Sequence, residues 1–138
     1  HLIPPLSLHD ALPISLFLGA TSKAILANMT SRQHSQLFLE NPDEVRASHL
    51  GQTWEQFRRS LQQLRRQGYV ASAAEIDPGV YGLAAPIFGS DGKVVGSISC
   101  LRPIQERDNA QEAQQGAHMQ ALAQALSQRM ATLTHRPA

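Results

Sequence analysis

The sequence has few of the features that build disulfides, membrane anchors or nucleic-acid interfaces. Cys100 is the only cysteine among 138 residues, so no disulfide can form within the chain. No apolar run reaches the roughly 18 residues that a membrane-spanning helix needs. The formal net charge is +1, which does not supply the concentrated basic face that duplex recognition requires. We therefore expect no membrane partner and no DNA binding by this chain alone.

Motifs for catalysis and metal binding are also missing. The sequence contains no phosphate-binding loop, no metal-ligand spacing of His or Cys, and no nucleophile elbow. Glu75 and Asp77 would point the same way in an extended segment, but no second candidate group accompanies them, and a solvated turn is the simpler interpretation. We predict no catalytic residue, no metal and no cofactor. Cys100 lies in an apolar segment, where we expect a buried thiol in a reducing cytoplasm.

The composition indicates one globular domain with unmatched ends. Hydrophobic residues make up 42% of the chain and charged residues 17%, which is typical of a folded protein rather than a disordered one. Residues 1–14, HLIPPLSLHDALPI, have no periodicity and lack the pattern of a secretory signal. We predict a poorly ordered leader of cloning or gene-fragment origin at 1–14, one domain at 15–134, and a fraying tail at 135–138.

A predicted β-hairpin organises the middle of the chain. The two stretches from Val80 to Phe88 and from Lys93 to Leu101 are rich in apolar and β-branched residues, and Gly89 to Gly92 has turn chemistry. Gly82 and its small neighbours leave one sheet face with little side-chain volume. Such a face is typical of a strand that a helix or a ligand approaches closely.

Helical spacing predicts four helices around this hairpin, with a strand before it from Tyr69 to Ala74. The helices are predicted at 20–28, at 30–39, from the N-cap Thr53 to Gly68, and at 106–133. Residues 15–18 are interpreted as the end of a further strand, and residues 41–43 as the start of a loop. Arg58, Arg59, Arg65 and Arg66 are interpreted as a solvated face, with contact to an acidic partner as the alternative. The elements together predict an α+β domain with an antiparallel sheet.

The start of the first predicted helix is a candidate anion site. Thr21 and Ser22 lie in its first turn, where small residues can bring several backbone N–H donors to one carboxylate or phosphate. An ordinary helix cap, in which the hydroxyl groups satisfy these N–H groups, is the simpler interpretation. The last predicted helix carries an apolar stripe that fits core packing or an oligomer seam: Met119, Leu122, Leu126, Met130 and Leu133.

Several motifs resemble the effector-binding domain of the IclR family of bacterial transcription regulators. They are RRQGY, then EIDPGVYGLAAPIF, then DGKVVGSIS, preceded by the separate signature LGATSKAILA. The resemblance covers about Ser15 to Leu133. It implies a GAF-like or profilin-like antiparallel sheet flanked by helices, N-terminally truncated, because family members carry a winged helix-turn-helix and the first effector-domain strands before the part that matches.

The resemblance also implies a function and a site. It implies transcription regulation in response to a small metabolite, often a carboxylate, with DNA contacted only through the missing N-terminal domain and with a homodimer or tetramer in the full-length protein. The family pocket carries over to seven positions: Ala20, Thr21, Ser72, Val80, Gly82, Ser99 and Leu101.

Two of these positions depart from the family pattern. Members that bind small keto acids have Asp at the position of Ser72 and a second Ser at the position of Leu101. A pocket with fewer polar groups favours a larger or partly apolar ligand. Two other functions remain open: a GAF-like dimerisation module without a ligand, and a small enzyme. A sheet pocket filled by side chains would indicate the first, and a convergent acid-base pair would indicate the second.

Overall fold

The computed structural model describes residues 15–134. The predicted leader and tail lie outside these residues. The described elements are, in chain order, α1 (Ala20–Ala27), α2 (Ser31–Glu40), α3 (Pro42–Ala47), α4 (Trp54–Gln67), β1 (Val70–Ala73), β2 (Val80–Phe88), β3 (Val94–Pro103), a short 3-10 helix (Ile104–Glu106) and α5 (Asn109–Thr134). The predicted α+β fold, an antiparallel sheet flanked by helices, is confirmed.

The three strands form one antiparallel sheet with β2 in the middle. The register places Ser72 of β1 beside Gly82 of β2, and Gly82 beside Leu101 of β3. A turn joins β2 to β3, where the Gly89 N–H donates to the Lys93 carbonyl at 2.8 Å. Gly92 has a φ of 78° in this turn, a conformation that glycine adopts without steric cost.

The two faces of the sheet carry different helices. Side chains alternate between the faces of a strand, so Ala84 of β2 packs with Ala20 and Ala24 of α1 on one face. Leu83 and its neighbours on the other face pack with Met119 and Ala123 of α5. Small side chains in β2 therefore allow α1 to lie close to the sheet, and a helix was one of the two partners expected for this face.

A second core lies among the helices. Phe57 and Leu61 of α4 are buried against Phe17 and Leu26, and the rings of Phe57 and Phe17 are 6.3 Å apart. The predicted limits of α4 are confirmed. Thr53 forms a capping box with Gln56, and Gly68 ends the helix with a left-handed φ of 81°.

Four predicted boundaries are wrong. Residues 41–43 do not begin a loop, because Pro42 occupies the first turn of α3, where its missing N–H costs nothing. Residues 15–18 do not form the end of a strand, because residues 16 and 17 form a turn and residue 18 a bend. β3 continues to Pro103, and α5 starts at Asn109 rather than at 106. Proline is compatible with β3 because this strand lies at the edge of the described sheet.

Three side chains also differ from their predicted settings. Arg65 is not part of a purely solvated face, since its guanidinium donates to the carbonyls of Ala27 at 3.2 Å and Met29 at 2.7 Å, at the C-terminal end of α1. Cys100 is half-buried rather than buried. The apolar stripe of α5 divides: Met119 packs against the sheet, whereas Leu126 remains 39% exposed.

Candidate functional site

A cavity of about 240 Å³ lies where the start of α1 meets all three strands. Six of the seven positions carried over from the family pocket line it. The lining residues are Leu18, Gly19, Ala20, Thr21, Ser22, Ser72, Glu75, Ile76, Asp77, Val80, Gly82 and Leu101. Residues that are far apart in the sequence therefore converge on one small space.

The strand register explains this convergence. Ser72, Gly82 and Leu101 are direct neighbours across the three strands, and Val80 shares their face because it lies two residues before Gly82. Gly82 keeps the space open. A Cβ at this position would lie 3.1 Å from Leu101 Cδ2 and 3.5 Å from Ala20 Cβ.

Ser99 is the predicted site residue that the structure does not bring to this cavity. It faces the same side of β3 as Leu101, but its neighbour across the sheet is Ala84, which α1 covers. Ser99 is exposed and is not among the lining residues. The hydroxyl that links β3 to α1 belongs to Ser97 and donates to the Thr21 carbonyl at 3.0 Å.

Glu75 is the centre of the polar contacts at the cavity wall. Its Oε2 accepts hydrogen bonds from the Gly19 N–H at 3.0 Å and from the Ser72 hydroxyl. Its Oε1 forms an ion pair with the ammonium group of Lys23. Glu75 therefore does not lie in a simple solvated turn, and the sequence patterns did not reveal its role.

The ion pair has little contact with solvent. The Lys23 side chain is 10% exposed and the Glu75 side chain 18%. Burial alone would raise the pKa of Glu75, but hydrogen bonds from Lys23 and Ser72, the Lys23 charge and the Gly19 N–H together hold that pKa below its ordinary value. Glu75 is therefore a carboxylate at neutral pH.

Lys23 connects three segments of the chain. Besides Glu75, its Nζ donates to the Ser48 carbonyl at 3.3 Å, after α3. Lys23 was not among the residues predicted for the site. One signal was available: it is the single charged residue in α1, ATSKAILA, and a lone lysine on a buried helix needs a partner.

The first turn of α1 is not capped by a side chain. The N-cap is Gly19, with no side-chain hydrogen bond to the helix, so the predicted capping by Thr21 or Ser22 is wrong. The first bond along the helix runs from the Lys23 N–H to the Gly19 carbonyl at 3.1 Å. The N–H groups of residues 20–22 have no acceptor within the helix, as is general for a first turn.

Other cavities and side-chain groups of the described residues give less support for a functional site. A larger cleft of about 680 Å³ lies on the opposite face, between β3 and α5, and is lined by Cys100, Arg102 and His118 among others. None of the predicted site residues lines it. Within residues 15–134, no group of three His, Cys, Asp or Glu side chains could hold a metal ion. The helices in this range are too short or too polar to cross a bilayer.

Comparisons with known proteins give a consistent result. Residues 12–128 match the profile of the family described as bacterial transcriptional regulator IclR C-terminal. Among curated proteins, no sequence matches this chain significantly.

Three solved structures illustrate the similarity. The repressor BlcR of Agobacterium tumefaciens has 21% identity and a TM-score of 0.70 over 86% of this chain and 48% of its own. The C-terminal domain of the Escherichia coli regulator KdgR has 22% identity and a TM-score of 0.70 over 84% of this chain and 71% of its own. IclR of Thermotoga maritima has 18% identity and a TM-score of 0.72 over 86% of this chain and 48% of its own. The chain thus spans about half the length of BlcR and of the Thermotoga protein.

Proposed function

This chain belongs to the C-terminal domain family of bacterial IclR transcriptional regulators, and we propose that it is the effector-sensing domain of such a regulator. The cavity between α1 and the sheet binds a small metabolite. Binding is then transmitted to DNA through a separate DNA-binding region of the full-length, cytoplasmic regulator.

The main support for this proposal is that most of the expected pocket positions line one cavity. The family resemblance implies pocket positions on α1, β1, β2 and β3, and six of the seven line one space. The volume of about 240 Å³ is below the range of about 300–1,000 Å³ that is typical for drug-sized ligands. A ligand smaller than a drug-sized molecule suits such a space.

The proposed ligand is a small organic carboxylate with an apolar part. The donors around the cavity support a carboxylate, because the Gly19 N–H and the Ser72 hydroxyl already hold one, that of Glu75. Ala20, Val80 and Leu101 supply the apolar wall. With Leu101 in place of a second serine, the wall favours an apolar substituent over a very small keto acid.

An enzymatic role has no support at this cavity. The Glu75 carboxylate is held by three partners, and the Asp77 Oδ1 accepts the Gly79 N–H at 2.8 Å. Among the lining residues, neither carboxylate has a histidine as a partner. Acid-base catalysis needs a group within reach of the substrate with a pKa near the working pH, and a lowered pKa moves Glu75 away from that range.

A second function, dimerisation without a ligand, is favoured by the apolar residues that α5 exposes. Leu122 and Leu126 are each 39% exposed and Leu133 is 59% exposed. This face can pair with a second copy, as a dimer or tetramer of the full-length regulator would require. Sedimentation velocity on the chain and on Leu126→Glu tests it: a dimer that the charge disrupts supports pairing, and an unchanged mass contradicts it.

Calorimetric titration with benzoate tests the ligand function. Gly82→Ala adds a methyl group to the cavity. The exposed Leu101 side chain can move by the small distance needed to accommodate this methyl group, so the fold tolerates the substitution. We expect roughly tenfold weaker binding, since one methylene is worth at least that much in a close-fitting pocket. Gly96→Ala is the matched control, because a Cβ there meets no atom of residues 15–134 within 4 Å. Equal effects of the two substitutions, or no benzoate binding, would contradict the proposal.

A further inference from the structure

Glu75 occupies the same donors that a ligand carboxylate would use. Resting on the proposed function, we infer that Glu75 is an internal competitor of the effector: it selects which carboxylates bind, and the effector must displace its Oε2 from the cavity wall. Glu75 is then a specificity-determining residue that contacts the ligand site from within the chain.

The two oxygens of Glu75 have different partners. Oε2 holds the Gly19 N–H and the Ser72 hydroxyl, whereas Oε1 holds Lys23. Gly19 and Ser72 line the cavity. Two carboxylates at hydrogen-bond distance from the same donors repel each other strongly. An incoming carboxylate therefore replaces Oε2, while Oε1 can keep its contact with Lys23.

The segment that carries Glu75 is held by a hydrogen bond between its two ends. It connects β1 to β2, and the Ala74 N–H donates to the Val80 carbonyl at 2.9 Å. Ile76, which is 78% exposed, has its Cδ1 2.7 Å from where a Cβ on Gly19 would lie. Glu75 and Ile76 thus hold the connection against the start of α1, and loss of the Oε2 contacts frees this part of the cavity wall.

Competition of this kind lowers apparent affinity in a selective way. If Glu75 occupies the donors about nine-tenths of the time, the apparent affinity for a carboxylate falls about tenfold. A neutral ligand of the same shape does not need these anion donors and is affected less. Competition by Glu75 therefore favours carboxylates that also make apolar contacts with Val80 and Leu101 over carboxylates that interact through their charge alone.

Two substitutions at the ion pair separate competition from simple charge effects. Glu75→Gln removes the competing charge and leaves a neutral amide oxygen, which is a weaker acceptor for the Gly19 N–H and the Ser72 hydroxyl, but it also leaves Lys23 without its partner. The double variant Lys23→Met/Glu75→Gln removes both charges and leaves the net charge unchanged. It also avoids a buried unpaired ammonium, and replacing both members of a buried pair is often tolerated.

Asp77→Asn is the matched control for charge at the same cavity. Asp77 lines the cavity, and its Oδ1 accepts the Gly79 N–H in its own turn. The substitution removes one negative charge from the cavity and leaves the donors at Gly19 and Ser72 as they are.

The experiment is calorimetric titration of the four proteins with benzoate and with neutral benzamide. We expect both Glu75 variants to bind benzoate about tenfold more tightly than the unaltered chain, Asp77→Asn to gain only about twofold from the removed negative charge, and benzamide affinity to change little. A gain in the single variant alone would assign the effect to the freed Lys23 ammonium and overturn the competition. Equal gains in Asp77→Asn would also overturn it. Benzoate binding without any gain would overturn this inference but leave the proposed function intact, whereas no binding to any of the four would overturn both.

Discussion

Lys23 and Glu75 are 52 positions apart in the sequence and form an ion pair at the wall of the cavity. The pair joins α1 to the connection between β1 and β2, and Lys23 also reaches the Ser48 carbonyl. The same contact therefore stabilises the fold and shapes the candidate site. Because of this double role, the effects of substitutions at the pair on stability and on binding have to be measured separately.

The first prediction concerns the stability that this pair provides. Lys23→Met alone leaves a carboxylate with little solvent, and Glu75→Gln alone leaves an ammonium group in the same state, so each should lower the free energy of unfolding by about 3 kcal/mol. The double variant should lose much less than the sum. Urea unfolding of the three variants and the unaltered chain checks this cycle. Additive losses would show that the two side chains do not interact.

The second prediction concerns pH dependence from His34. Burial lowers the pKa of His34 from its ordinary value of 6.5, the hydrogen bond to the Leu26 carbonyl partly offsets this effect, and the nearby Arg65 charge lowers the pKa further. The unfolded chain therefore binds a proton more readily, and stability should fall as the pH drops below about 6.5. Glu75, whose pKa is also lowered, acts in a separate window below pH 4.5.

Thermal melts between pH 8 and pH 5 of the unaltered chain and of His34→Gln measure this dependence. The substitution removes the titrating group, so the decline between about pH 6.5 and pH 5 should become shallower. His49→Gln is a control, because His49 is exposed. An equally steep decline in His34→Gln would contradict the assignment.

The third prediction concerns the contact of α5 with the strand region. A Cβ on Gly116 would lie 2.5 Å from the ring of Tyr69, a rigid group that has to shift. Gly116→Ala should therefore destabilise the domain by about 1–3 kcal/mol, although alanine normally stabilises a helix relative to glycine. Urea unfolding against Gly96→Ala, where a Cβ meets no atom, isolates the steric effect. A stabilised Gly116→Ala variant would show that α5 lies further from Tyr69.

Elements with strong local signals could be predicted from the sequence. β2 has the predicted limits, Val80 and Phe88, because a proline-glycine turn precedes it and a glycine-rich turn follows it. The capping residue Thr53 and the terminal Gly68 likewise allowed both limits of α4 to be predicted. The start of α3 could not be predicted in the same way, because Pro42 both ends α2 near Asn41 and begins α3. The rule that a helix stops before a proline describes only the first of these two effects.

The candidate site depended more on contacts between distant segments. Family resemblance supplied all seven positions, and alternation along the strands added that Val80 shares a face with Gly82. Neither could show that Ser99 lies beside the part of the sheet that α1 covers. Nor could local patterns reveal the Lys23–Glu75 pair, since it depends on how α1 and the β1–β2 connection pack together.

The central claim is that a small carboxylate binds between the start of α1 and the sheet. Backbone amide NMR shifts during titration of the unaltered chain with benzoate test it most directly. We predict saturable shifts for Gly19, Ala20, Thr21 and Gly82, with smaller changes along residues 111–119 of α5. Shifts concentrated on those α5 residues, or no saturable shifts around Gly19 and Gly82, would contradict it.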